Sequence, residues 1–191
     1  MAALDALHAE DPAKVELDGD SVAEELLYAR RMSDALARLV SAPSEALELA
    51  VRAQHLCRWR LPRASYPEGR AGYHAWRRES ERQHAAFAAS SLSEAGYDPP
   101  TITRVMDLIE KKDRARDPEA QALEDAACLV FLEHHLDAFA ASQRAEGKDE
   151  AQLAEIVKKT WRKMSPRARE LALELPLSVG TRAIVERALA G

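Results

Sequence analysis

The chain has little of what would mark most folds other than a helical one. Only seven of 191 residues are glycine and 5% are aromatic, and runs of β-branched residues are nearly absent. Strand-rich architectures need both β-branched and aromatic side chains, so extended sheet is disfavoured. Two cysteines, Cys57 and Cys128, form no CxxC pair and read as buried reduced thiols, which fits a cytoplasmic setting. The first twenty residues lack the basic and apolar regions of a secretory signal. No apolar run reaches the roughly 18–20 residues of a membrane span. Net charge is −5, which argues against a general nucleic-acid or membrane-surface binder. Phosphate-loop, dinucleotide-binding, nucleophile-elbow, HExxH and zinc-finger patterns are all missing, and a single ExxH, Glu81 to His84, falls short of the two that di-iron bundles carry.

What is present is helix-forming. Apolar residues make up 47% of the chain, mostly Ala and Leu, alongside many Glu and Arg, all strong helix formers. The expected fold is all-α, a compact single-domain helical bundle over residues 21–191, preceded by a short helix at 2–9 and a loop to residue 20. Apolar spacing predicts a helix over 22–40. Ser44 is placed to cap a helix over 45–59. Residues 60–72, with Pro62, Pro67, Gly69 and Gly72, read as loop. Further helices are expected over 73–95 (stopped by Gly96), 101–112, 118–143, 149–163, from Pro166 after a Ser165 cap, and over 179–190. Lys163-Met164-Ser165 overlaps a synthetase loop motif by three residues only; Ser165 reads as the cap and Trp161 as core.

Three sets of residues point to chemistry. The first is Asp125, on a face with Leu129, Leu132 and Leu136, with Glu124 on the adjacent face. A carboxylate on an apolar stripe must be paired, hydrogen-bonded or bound to metal. The second is His84, on a stripe of small residues (Ala88, Ser91, Ala95) that suits a close interhelical seam. His55, 29 residues earlier, can meet it only from a different helix. Neutral imidazoles with one or two carboxylates suit a borderline divalent metal. The third set lies between the histidines. Residues 58–82 hold seven arginines, at positions 58, 60, 63, 70, 77, 78 and 82, against Glu68, Glu79 and Glu81, with no lysine. Arginine alone suggests planar recognition of phosphate, sulfate or carboxylate. Arg63 and Arg70, with Ser65, Tyr66 and Tyr73, are the strongest anion-binding candidates, joined by Arg58 and Arg77. Arg78 and Arg82 read as surface ion pairs. Trp59, Tyr66, Tyr73 and Trp76 offer faces on which a base or ring can stack, but read first as pins between loop and core.

The segments ELLYARRMS (25–33), RAQHLCRWRLPR (52–63), SYP (65–67), GYHAWR (72–77), QALEDAACLVFLE (121–133) and KTWRKMS (159–165) together resemble the family catalogued as domain of unknown function 4202, over nearly the whole chain. More distantly, residues 84–125 resemble the closing half of HD-domain phosphohydrolases, where a His-headed helix leads to a long helix bearing the last metal-ligand Asp. That resemblance implies an HD-like bundle with His55, His84 and Asp125 as metal ligands and Glu124 as catalytic base. The implied cofactor is one divalent ion (Mn, Fe, Co, Ni or Zn). The implied substrate is a small phosphorylated metabolite or nucleotide, held by the arginine loop. The His-Asp dipeptide itself is absent from the sequence; if His84 takes its place, or instead heads the later helix, the residue after it is Ala85, and Lys111-Lys112 stands where two-metal members place another His, so a second metal is not expected. The alternatives are a non-catalytic anion- or nucleotide-binding protein using residues 58–77, and an oxygen-using iron relative. The latter would need His134 or His135, and an ideal helix sets Asp125 and His134 about 180° apart.

Overall fold

The computed structural model describes residues 1–17 and 19–190. The fold is all-α: the described residues form ten α-helices and one small two-stranded sheet, and 73% of the structure is helical. Among the described residues no helix is long and apolar enough to cross a membrane. The chain divides into two units, residues 1–123 and residues from 124 onward.

In the first unit, α1 (Ala2–Ala9) buries Leu4 and His8. The segment expected as loop instead forms an antiparallel hairpin of β1 (Lys14–Leu17) and β2 (Asp20–Ala23), with Val15 opposite Val22. Gly19, between the strands, takes φ +90°, a conformation that glycine adopts without steric cost and that tight hairpin turns demand. Asp11, buried, accepts from the Ala13 and Glu25 N–H groups at 3.0 Å each, joining the end of α1 to the start of α2 (Glu24–Leu39). Ser44 caps α3 as expected, accepting from Leu47 N–H at 3.1 Å, but α3 covers only Glu45–Ala53. Cys57 turns into the left-handed region at φ 58° and ends the helical path. Two single-turn 3₁₀ segments follow, Arg58–Arg60 and Arg63–Ser65.

Helix α4 (Gly69–Glu94) starts four residues earlier than its expected Tyr73. Gly96 (φ +84°) closes it, and Asp98 caps α5 (Pro99–Ile109) by accepting from Thr101 N–H at 2.9 Å. Helix α5 packs on α3 and α4, and α2 packs on α3. Leu47, Leu49, Leu56, Leu92, Leu108 and Ile109 are fully buried in this unit. Lys111 and Asp113 then take positive φ. Arg104 holds this turn's far end, with its guanidinium shared between Asp117 and Glu119.

Helix α6 (Pro118–Val130) contains the division between the units. The single helix expected to residue 143 is interrupted. Residues Phe131–His135 form a π turn, and α7 (Leu136–Ala145) resumes after it. The π turn breaks the ideal 100° step, so angular arguments carried from Asp125 to His134 or His135 do not hold. A reciprocal cap between Asp149 and Gln152 opens α8 (Glu150–Lys163). Ser165 caps α9 (Pro166–Leu173), accepting from Ala168 N–H at 3.2 Å. Helix α10 (Val179–Ala190) packs on α8 and α7. Trp161, expected in the core, is only half-buried, and Met164 is buried instead.

Gly72 has no room for a side chain: a Cβ there would lie 1.9 Å from the Pro67 carbonyl oxygen. The backbone of the arginine loop therefore rests directly on α4. Gly72→Ala is expected to push this loop off the helix and lower stability by about 1–3 kcal/mol, read from urea denaturation. An unchanged midpoint would show that the loop does not need that contact.

Candidate functional site: a histidine pair and an arginine

The left-handed Cys57 reverses the chain immediately after His55. Left-handed backbone is uncommon outside glycine and marks sites held by their surroundings. The reversal folds Arg58 back over His55: the Arg58 N–H donates to the His55 carbonyl at 3.0 Å, and Arg58 Nη1 donates to His55 Nδ1 at 3.3 Å. The His55 ring stacks on Tyr28 of α2, with centroids 4.3 Å apart and planes 11° from parallel. From α4, His84 Nδ1 donates to the Leu56 carbonyl at 2.8 Å. The two imidazoles converge, with centroids 5.8 Å apart. His55 and His84 thus meet from different segments, as their spacing required, although His55 lies beyond the end of α3 rather than within it.

Both rings are held neutral. Burial pushes His84 down to about 4, opposed by the Leu56 hydrogen bond and reinforced by the Arg58 charge. Burial also holds His55 well below its usual range, with the charge of Arg58 next in importance and Lys111 contributing. Neutral imidazole is the form that binds metal. The carbonyl contact of His84 fixes its proton on Nδ1 and leaves the Nε2 lone pair for a ligand, the orientation that metal-binding histidines commonly receive from their neighbours. Among the described residues no group of three or more His, Cys, Asp or Glu side chains stands close enough to hold an ion.

Glu25, on the first turn of α2, was not singled out from the sequence. Its Oε2 is buried without a hydrogen-bond partner. Burial raises its pKa to about 8, against the lowering effect of Arg58 and with Asp11 and Glu24 adding to the rise. A signal was present, since Glu25 opens ELLYARRMS, one of the segments that carry the family resemblance.

The arginine loop is mostly occupied with itself. Arg63 donates to the Tyr66 and Pro67 carbonyls at 3.0 Å each. Arg70, exposed, contacts His74 at 3.4 Å, and Arg77 pairs with Glu81 at 3.2 Å. Ser65 and Tyr73 are exposed and Tyr66 is half-buried. Arg82 pairs with Glu79, as expected for a surface ion pair. Trp76 acts as the expected pin, its Nε1–H donating to the Leu61 carbonyl at 2.9 Å. Arg58, one of the proposed anion-binding arginines, contacts a histidine of the pair, and its Cζ lies 5.3 Å from the Trp76 ring centre.

In the second unit Glu124 and Asp125 are both 3% exposed. Asp125 Oδ1 accepts from the Ser165 N–H at 2.9 Å, and Glu124 Oε1 lies 3.3 Å from Lys163 Nζ. A buried Asp125 was expected to be hydrogen-bonded, paired or metal-bound; the Ser165 contact supplies a hydrogen bond. Cys57 and Cys128 are buried and form no disulfide.

With this geometry in view, the family model described as domain of unknown function (DUF4202) matches residues 1–185, and the chain belongs to that family. No curated protein and no solved structure matches it significantly.

Two expected outcomes follow from these contacts. A histidine whose folded pKa lies below 6.5 leaves the unfolded chain holding more protons at lower pH. The contribution of His84 is therefore complete above about pH 6.5 and is lost as pH falls toward 4, on the order of 3 kcal/mol. Glu25 acts in the opposite sense: its contribution is complete below about pH 4.5 and is lost as pH rises through about 8. Urea midpoints across pH 4–9 should show wild type losing stability on the alkaline side, with Glu25→Gln removing that loss. Equal slopes in both proteins would refute the Glu25 assignment. Separately, Asp125→Ala leaves the Ser165 N–H without its acceptor and should destabilise the chain by about 1–3 kcal/mol, measured by the same titration at pH 7.

Proposed function

We propose that the protein is a metal-dependent phosphohydrolase of the HD-like type, acting on a small phosphorylated metabolite or nucleotide. The observation that carries this reading is the pair of neutral imidazoles, His55 and His84, joined by an arginine at the same point. A divalent ion would supply Lewis acidity at a phosphoryl oxygen. The chain's own residues would do the rest. Tyr28 stacking holds the plane of His55, and the Leu56 carbonyl holds the tautomer of His84. Arg58, permanently charged and rich in donors, is suited to the non-bridging phosphoryl oxygens, where it would offset charge that grows in the transition state. The exposed Arg70 and Tyr73 support a second reading, a non-catalytic anion- or nucleotide-binding protein.

The test is elemental analysis of untagged protein after incubation with Mn, Fe, Co, Ni or Zn, comparing wild type with His55→Ala and His84→Ala. The expected result is near-stoichiometric metal in wild type and its loss in both variants, with release of inorganic phosphate from a panel of phosphate esters by the loaded wild type. Metal-free wild type would remove the hydrolase reading. A melting temperature raised by inorganic phosphate or nucleotide without metal would then favour the binding protein.

A further inference from the structure

Charge and aromatic surface meet a second time on the outside of α4, away from the buried histidine. Residues 58–78 carry six arginines and one glutamate in a chain of net charge −5. An α-helix brings positions i, i+3, i+4, i+7 and i+8 to one side, so Arg70, Tyr73, His74, Arg77 and Arg78 share a face over the first three turns of α4. That face is open: Arg70, His74 and Arg78 are exposed, and Tyr73 is 42% exposed. Its ring is nevertheless held in place, edge-on to His74 with centroids 5.6 Å apart and tilted against the buried Trp76 at 6.0 Å. Arg70 Nε contacts His74 at 3.4 Å, and Arg77 pairs with Glu81. Among the described residues no carboxylate pairs with Arg70, nor with Arg78, for which an ion pair was expected.

Three features select a ligand for this face. Arginine without lysine suits the planar, forked recognition of phosphate. Tyr73 sets a rigid ring between the cations, on which a base can stack. The third feature is openness. A small ligand needs most of its surface enclosed, which an exposed helix face does not provide, whereas a strand adds up many weak contacts. Arg70 and Arg78 lie about 12 Å apart along the helix axis, roughly the rise of three to four stacked nucleotides. An acidic peptide would match the charge but leave Tyr73 without a flat partner. The acidic remainder of the chain repels a polyanion and so confines it to this face.

We propose that this face of α4 binds single-stranded nucleic acid, with phosphates on Arg70 and Arg78 and a base stacked on Tyr73. The proposal rests on the second reading above, extends it from one anion to a strand, and needs no metal.

The test is fluorescence anisotropy of labelled oligo(U) and oligo(dT), titrated with the full chain in EDTA across a salt series. Wild type is expected to bind at least one strand, more weakly as salt rises. The double variant Arg70→Gln, Arg78→Gln is expected to bind about tenfold more weakly, with a salt slope shallower by about 1–2. Tyr73→Ala is expected to lose about tenfold with the slope unchanged, and Tyr73→Phe to retain wild-type affinity. These side chains are exposed, so the variants are expected to fold; circular dichroism checks this, and Tyr73→Leu serves if Tyr73→Ala does not. Binding that none of the variants weakens would overturn the proposal. If uridine monophosphate raises the melting temperature but neither strand binds, the anion-binding reading stands and the strand is wrong. If neither ligand acts, both fall. Displacement of the strand by polyglutamate as readily as by unlabelled strand would assign the face to an acidic protein segment and reject the nucleic acid.

Discussion

The hydrogen bond from His84 to the Leu56 carbonyl is the contact on which the site depends. Leu56 lies past the end of α3, where its carbonyl has no helical N–H to accept, and a buried carbonyl left without a donor is costly. His84, in the middle of α4, supplies the donor. One bond therefore satisfies a buried backbone acceptor, joins two helical segments, fixes a tautomer and brings two imidazoles within 5.8 Å. The left-handed Cys57 is the local cost of the same arrangement, since only a sharp reversal there presents the Leu56 carbonyl to α4 and Arg58 to His55.

Much of the helix pattern was legible because caps act locally. Ser44, Asp98 and Ser165 each accept from an N–H three residues on, and Gly96 takes the left-handed conformation that ends α4. These residue types stop or start helices whatever lies around them. The features that escaped are set by context. Cysteine has no intrinsic preference for positive φ, so the early end of α3 cannot be read from residues 54–57. Residues 131–135 have ordinary helix-forming composition, and nothing in them announces a π turn. The hairpin's strands are four residues each, too short for alternation to stand out.

The candidate site divides along the same line. Spacing allowed the convergence of His55 and His84 without dictating it, because a helix-and-loop separation of 29 residues permits two side chains to meet from different elements. The loop arginines were harder. A Pro/Gly-rich loop exposes backbone carbonyls, and an arginine nearby can serve either those carbonyls or a ligand. Composition is the same in both cases. Arg63 serves the Tyr66 and Pro67 carbonyls, whereas Arg58 is carried to the imidazole by the turn at Cys57. Glu25 was passed over because a glutamate on the first turn of a helix is ordinarily a solvated partner of the helix dipole. Here its Oε2 is enclosed.

That enclosure explains why these groups belong together energetically. A desolvated carboxyl without a partner and a cation resting on a neutral ring are each unfavourable by themselves. A direct ion pair between Glu25 and Arg58 would relieve the first but withdraw the cover from His55. The arrangement described keeps the arginine on the imidazole and the carboxyl in its protonated range, with a pKa of about 8. A fold built only for stability would replace such a set with apolar residues of similar volume, which is often neutral or favourable.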